Sequence, residues 1–348
     1  MPAGARATFG SPGCGRARPA VARLVLAGAL GLAVAGCDAE WGGASLRIVK
    51  APELERAPEP ADTLEPGVEP IRLPDGPVLF RVWRTADGRA RAEPMLVAGA
   101  ALAEVGPAAP ERWPEYAQAF NARYYAPGGE VALYRDGARV GTFGVEVPVA
   151  DSLGSCPALV AEGWVELSPA AMNVSEFVGA EKGRFAAGVG YRAPDLRPEA
   201  RELAAVLAER LLRQRGWDDA WRPRQAQELR PVWLGEGPPG FAATFLRGDS
   251  LAVLPAASEA AALFLVADYD RSQGYVPVHV EHQSYAQGEK RAPRWMDRFD
   301  TDGDGQLEWI LVAFGSRTRW YEVYDGSGAN WRRSWSGRRP LCEALPPG

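Results

Sequence analysis

The sequence predicts an α+β fold rich in β-structure, with an antiparallel meander in the C-terminal half and one main amphipathic helix. Three observations predict it: short apolar runs of period two recur between polar turns, a single segment has a strong helical period, and the 348 residues are 47% hydrophobic. Such a chain buries one large or two medium cores, which excludes wholesale disorder and a disulfide mini-protein. The formal net charge is −5, but residues 1–36 hold four arginines and no acid, which leaves 35 basic against 44 acidic residues, a net −9, on the remainder. That acidic body does not suggest a nucleic-acid binder, and no nucleic-acid partner is expected.

Taken in order, Arg16, Arg18 and Arg23 precede an uncharged run from Leu24 to Gly36, with the charged and apolar parts of an export signal and too little length to span a bilayer. The run ends Leu32-Ala33-Val34-Ala35-Gly36-Cys37 and resembles the bacterial lipobox, in which small residues permit cleavage directly before a cysteine. The resemblance implies a signal peptide over 1–36 and a lipoprotein whose first mature residue, Cys37, carries acyl chains such as palmitate. The body would lie in the cell envelope, in the periplasm or outside, held to the membrane by lipid. Val34 stands where leucine is commonest, and Asp38 resembles the signal that retains such proteins at the inner membrane of enteric-type bacteria. No second apolar run of about 18 residues follows, so anchoring rather than crossing is expected. Residues 37–77 follow as a tether, because seven prolines and many acids between Asp38 and Pro77 favour extension.

A β-rich region is expected over 78–192. Val78, Phe80 and Val82 share one face of a strand, and Val131–Arg135 and Ala138–Phe143 flank Asp136-Gly137, residues suited to the left-handed turn of a hairpin. A short helix is expected between Pro110 and Tyr125. Over 193–348 the order is helix, then meander. The helix runs from Pro198 to Arg215, with Asp195 and Pro198 at its start, Leu203, Val206, Leu207 and Leu211 on one face, and Gly216 past its end. Strands are expected at Gly240–Leu246, Ser250–Leu254, Ala261–Ala267, Tyr275–Gln283, Gln306–Phe314, Arg319–Tyr324 and Asn330–Trp335.

One loop carries chemistry. Asp300, Asp302, Asp304 and Glu308 occupy positions one, three, five and nine of a loop, with Gly305 at six and the Gln306 backbone carbonyl available at seven. Hard divalent cations need several oxygen ligands, and this spacing points to Ca2+. Position twelve is Leu311 rather than the acid of a full EF-hand, and the exit reads as a strand. Residues Asp300 to Phe314 instead resemble the calcium loops of FG-GAP or VCBS-type repeats, which implies a structural ion. A propeller needs several such repeats, and the nearest second copy, Val266-Ala-Asp268-Tyr-Asp270, lacks the glycines and the closing acid.

Cys156 and Cys342 are the cysteines left to the body, and an oxidising compartment leads to a disulfide between them, two separately buried thiols being the other arrangement. His279 and His282 do not build a zinc site, because period-two geometry puts His279 and Glu281 on one face and His282 on the other. The acid pairs Asp268 with Asp270 and Glu281 with Asp297 would serve glycoside hydrolysis only at the required separation. Trp295, Trp309, Trp320, Trp331 and Trp335, interleaved with arginines, read as β core, with sugar stacking as the sharper alternative. The expected function is a non-catalytic binding or scaffolding lipoprotein with a glycan or envelope protein as partner. A glycan-acting extracytoplasmic hydrolase with structural calcium is the alternative.

Overall fold

A computed structural model of the protein describes residues 70–337 except 150, 151, 154, 155, 158, 186, 187, 189, 219 and 236. The chain divides into two units, Met1–Gly67 and Val68–Gly348, and the described residues all belong to the second. They form sixteen strands and two α-helices, so the fold is β-rich α+β.

Residues 78–181 build a closed six-stranded antiparallel barrel. Its strands are β1 (Val78–Arg84), β2 (Ala90–Val97), β3 (Glu130–Arg135), β4 (Ala138–Val149), β7 (Val160–Leu167) and β8 (Glu176–Glu181), paired in the order β1-β2-β7-β4-β3-β8. Two short strands, β5 (Ser152–Leu153) and β6 (Cys156–Pro157), pair with each other between β4 and β7. The hairpin turn at Asp136-Gly137 has φ of 54° and 73°, a left-handed pair that a two-residue connection requires. Phe80, Val82, Leu133, Phe143 and Phe177 fill the barrel together with Tyr116, Phe120 and Tyr124 of helix α1 (Trp113–Tyr124).

Two four-stranded meanders follow α2 (Ala200–Gln214). The first is β9 (Glu228–Val232), β10 (Gly240–Arg247), β11 (Ala261–Asp270) and β12 (Gly274–Ser284). The second is β13 (Ala292–Phe299), β14 (Glu308–Phe314), β15 (Arg319–Asp325) and β16 (Arg332–Ser336). Strand alternation stacks them. Phe241, Phe245, Leu263 and Leu265 meet α2, whereas Ala242, Phe264 and Val266 meet Trp295, Trp309, Leu311 and Tyr324 of the second meander. That meander's opposite face, with Met296, Ile310, Val312 and Val323, packs on Leu79, Leu96, Tyr134 and Val178 outside the barrel. The layers are therefore helix, sheet, sheet and barrel.

Three expectations change. The stretch Ser250–Leu254 is not a strand, because Lys290 Nζ draws the carbonyls of Ser250, Ala252 and Leu254 inward at 3.2, 2.9 and 3.1 Å, beside Asp249 at 2.5 Å. Helix α2 buries Ala200, Ala204, Leu207, Ala208, Leu211 and Leu212 and leaves Leu203 and Val206 exposed. Its alanine stripe bears on the sheet, where larger side chains would hold the helix away. Its N-cap is Glu199, with no side-chain cap bond, so Asp195 does not cap it.

Charged groups cross the barrel joint. Arg294 on β13 donates to both oxygens of Glu176 at 2.7 Å, and Arg81 Nε adds a bond of 2.6 Å. Burial pushes the Glu176 carboxyl up, but the Arg294 and Arg81 guanidinium groups outweigh it and hold it at about 2. A bulge between Trp295 and Asp297 then turns Asp297 toward the β3–β4 hairpin. Its Oδ1 accepts the Asp136 N–H at 2.9 Å and the Arg298 N–H at 2.8 Å, and Arg135 lies 3.5 Å from Oδ2. Here burial wins over Arg135, with the Asp136 charge adding to it, and the carboxyl rises to about 6.

A raised carboxyl value means that the folded state carries a cost at neutral pH, roughly 3 kcal/mol, that is relieved as pH falls through 6 toward the unfolded value. Asp297→Asn should therefore raise the melting temperature at pH 8 and lose that advantage near pH 4. Thermal unfolding of both proteins across this range measures it; a variant less stable than the parent at pH 8 contradicts it.

Candidate metal centre

The loop from Asp300 to Leu307 joins β13 to β14, and its turns are wound by its own carboxylates. Asp300 accepts the Gly303 N–H at 2.6 Å through Oδ1 and the Gly305 N–H at 3.0 Å through Oδ2. Asp302 accepts the Asp304 N–H at 3.0 Å, and Asp304 accepts the Gln306 N–H at 2.7 Å and the Gln306 side-chain amide at 3.3 Å. Gly303 and Gly305 have φ of 86° and 88°, a conformation that other residues rarely adopt. The result is convergence: one oxygen each from Asp300, Asp302 and Asp304 lies within 4.8 Å of the others. Asp300 is half-buried, and Asp302 and Asp304 are exposed.

Glu308, the first residue of β14, has different partners. Its Oε2 accepts the Thr301 N–H at 2.6 Å and the Thr301 hydroxyl at 2.8 Å, tying the two ends of the loop together. Burial raises its carboxyl to about 7, against the Thr301 bonds and with the Asp302 and Asp325 charges adding to the rise. The barrel holds the same ends. Gly99 N–H donates to the Thr301 carbonyl at 3.0 Å, Gly137 N–H to the Arg298 carbonyl at 3.1 Å, and Arg298 Nε to Asp136 at 2.7 Å. A Cβ on Gly137 would lie 2.7 Å from the Leu307 side chain, so hairpin and loop touch directly.

The other candidate residues separate. His282 stacks on Trp217 with ring centres 5.2 Å apart, while His279 faces Trp309 and Tyr324 between the two meanders. Glu281 accepts from Arg291 at 2.7 Å and from the Tyr324 hydroxyl at 2.8 Å; Asp297 lies on the barrel side and shares none of these partners. Asp270 caps its own turn through Ser272 and Gln273, and Asp268 accepts the Tyr269 N–H. Trp295, Trp309 and Trp320 are buried, Trp331 stacks on Trp309 at 3.7 Å, and Trp335 packs against the core at the barrel joint. Cys37, Cys342 and the side chain of Cys156 lie outside the described residues, as do the signal and most of the tether. Among the described residues, no helix is long and apolar enough to cross a membrane.

Sequence spacing missed a second carboxylate, Glu322, which is fully buried between the meanders. Its oxygens accept from Arg291 at 2.8 and 2.5 Å, Arg333 at 2.9 Å and Trp320 Nε1 at 2.9 Å. Nothing in Trp320-Tyr-Glu322 marks it, since the two arginines that pair with it lie outside its strand. No protein-family model, curated protein or solved structure matches the chain. Function has to be read from the chemistry of its own residues.

Removing Glu322 would leave the mostly buried Arg291 guanidinium with Glu281 as its remaining carboxylate, and would take away the acceptor of the buried Trp320 N–H. Glu322→Ala is expected to lose about 3–5 kcal/mol of unfolding free energy in denaturant titration; a loss below about 1 kcal/mol would reduce the network to a surface-like pair.

Proposed function

We propose that the protein is a bacterial cell-envelope lipoprotein with a binding or scaffolding role, whose β-rich body is braced by a structural calcium ion. The observation that carries the reading is the convergence of Asp300, Asp302 and Asp304 in a glycine-turned loop that opens directly into β14. Three carboxylates so close repel one another, and a hard divalent cation offsets that repulsion while ordering the loop. The Gln306 carbonyl and the Glu308 carboxylate complete the ligand set, with Glu308 releasing Thr301 to reach the ion. Because the loop touches barrel residues Gly99 and Gly137, the ion would stiffen the joint as well as the loop.

Anchoring rests on the sequence before the body. The charged and apolar signal parts end at Cys37, the acylated residue in this reading, and the proline-rich tether after it separates body from bilayer. A Cys156–Cys342 disulfide would suit the oxidising side of that membrane. A glycan or an envelope protein is the partner class.

The test is thermal unfolding of the full chain carrying Cys37→Ala, which cannot be acylated, with calcium and with chelator, beside Asp300→Ala/Asp302→Ala. A calcium-dependent rise of several degrees, lost in the double variant, is expected; ligand at a hundredfold excess over its dissociation constant contributes about 2.7 kcal/mol. No rise and no heat of calcium binding would return the loop to an acidic turn. For the anchor, intact mass of the native protein extracted from membranes should show acyl chains that vanish in Cys37→Ala.

A further inference from the structure

Most large aromatic side chains of the body are in the core, but Trp164 is 49% exposed, the one aromatic among the exposed large hydrophobic residues described. It stands on the outer face of the barrel, where β7 alternates Glu162, Trp164 and Glu166 outward with Ala161, Val165 and Leu167 inward. Across the ladder from Trp164 is Gly144 on β4. A Cβ there would lie 2.4 Å from Cε2 and Cζ2 of the indole and 2.8 Å from Nε1, and nothing else is as near. The missing side chain is therefore the seat of the ring, which lies across the neighbouring strand instead of projecting from it. On the other side, pairing between β2 and β7 ends at Ala90 and Gly163, so the ladder with β2 does not reach Trp164.

The rim is polar and carries both signs. Arg91 donates twice to Glu162, at 2.9 and 2.6 Å, and Arg89 donates to Glu146 at 2.6 Å. Glu166, two residues along β7 on the same face as Trp164, is exposed. An apolar plate with donors and acceptors on the same face suits a ligand with one apolar face and a polar circumference, which is the character of a pyranose ring whose hydroxyls are equatorial. A quaternary ammonium would need an uncompensated acidic or several-sided aromatic enclosure, and here Arg89 and Arg91 neutralise two of the carboxylates.

We infer that Trp164, seated on Gly144 and rimmed by Arg89, Arg91, Glu162 and Glu166, is a stacking platform for a saccharide. This names the ligand class within the binding role proposed above, and it rests on that reading without depending on the calcium ion. The sugar's C–H face lies on the indole, the carboxylates accept from its hydroxyls, and the guanidinium groups donate to its oxygens. Gly144 is the positioning residue.

Calorimetric titration of the full chain with Cys37→Ala, against N-acetylchitotetraose and cellotetraose in turn, tests it beside Trp164→Ala and Gly144→Ala. Binding of at least one oligosaccharide is expected, with both variants weakened at least tenfold and their circular dichroism unchanged. Should Trp164→Ala fail to fold, Gly144→Ala decides, because it keeps the ring and removes only its seat. No heat with either sugar, undiminished binding in the variants, or heat from tetramethylammonium in place of sugar would overturn the inference. A calcium melting shift on the same preparation separates the two readings. The shift without sugar heat sinks the platform alone, and sugar heat without the shift sinks the brace alone.

Discussion

Three strands of the second meander, β13 to β15, are buried on both faces, and that constraint governs the rest of the molecule. One face must match the outside of a barrel and the other a second sheet, so apolar residues occupy both parities of β14: Ile310 and Val312 toward the barrel, Trp309 and Leu311 toward the other sheet. The charged groups on its buried strands have little access to water and need partners in the interior.

Those partners are visible at both joints. Glu176 is clasped by Arg294 and Arg81 on the barrel side, and Glu322 by Arg291 and Arg333 on the other. Buried pairs of this kind recover little net free energy, since desolvation offsets much of the attraction, whereas removal of one partner is costly. Their geometry is nevertheless demanding: a guanidinium that meets both oxygens of one carboxylate allows one register only. In this fold Arg294 with Glu176 aligns the second meander on the barrel and Arg291 with Glu281 of β12 ties the two meanders, while Phe264, Trp309 and their neighbours supply the hydrophobic drive. Asp297 is the exception, a buried acid with one close cation, and its raised value is the expression of that imbalance.

The acidic loop and the exposed tryptophan occupy different parts of this frame. The loop lies at the end of the doubly buried sheet, where the chain must reverse between β13 and β14 while the barrel's Gly99 and Gly137 hold its ends. An ion bound there, as proposed, would act on the joint. Trp164 belongs to a part of the barrel surface that neither described meander covers, so a ligand on the indole, as proposed, would leave the stack undisturbed.

The sequence by itself determined local features, because their causes are local. Asp136-Gly137 specified a hairpin turn, the period of residues 198–215 a helix, alternation most C-terminal strands, and the spacing of Asp300, Asp302 and Asp304 a loop whose carboxylates converge. The alternation of Trp164 with Glu162 and Glu166 is present in the sequence, but the Gly144 that seats the ring comes beside it only through the pairing of β4 with β7. Barrel closure, the face that α2 buries, the inward turn of residues 250–254 onto Lys290 and the pairing of Glu322 were decided by tertiary structure alone. Each depends on residues tens of positions apart meeting in three dimensions, and whether a Leu203 is covered or a Glu322 is paired is set by what packs against it, which no local pattern encodes.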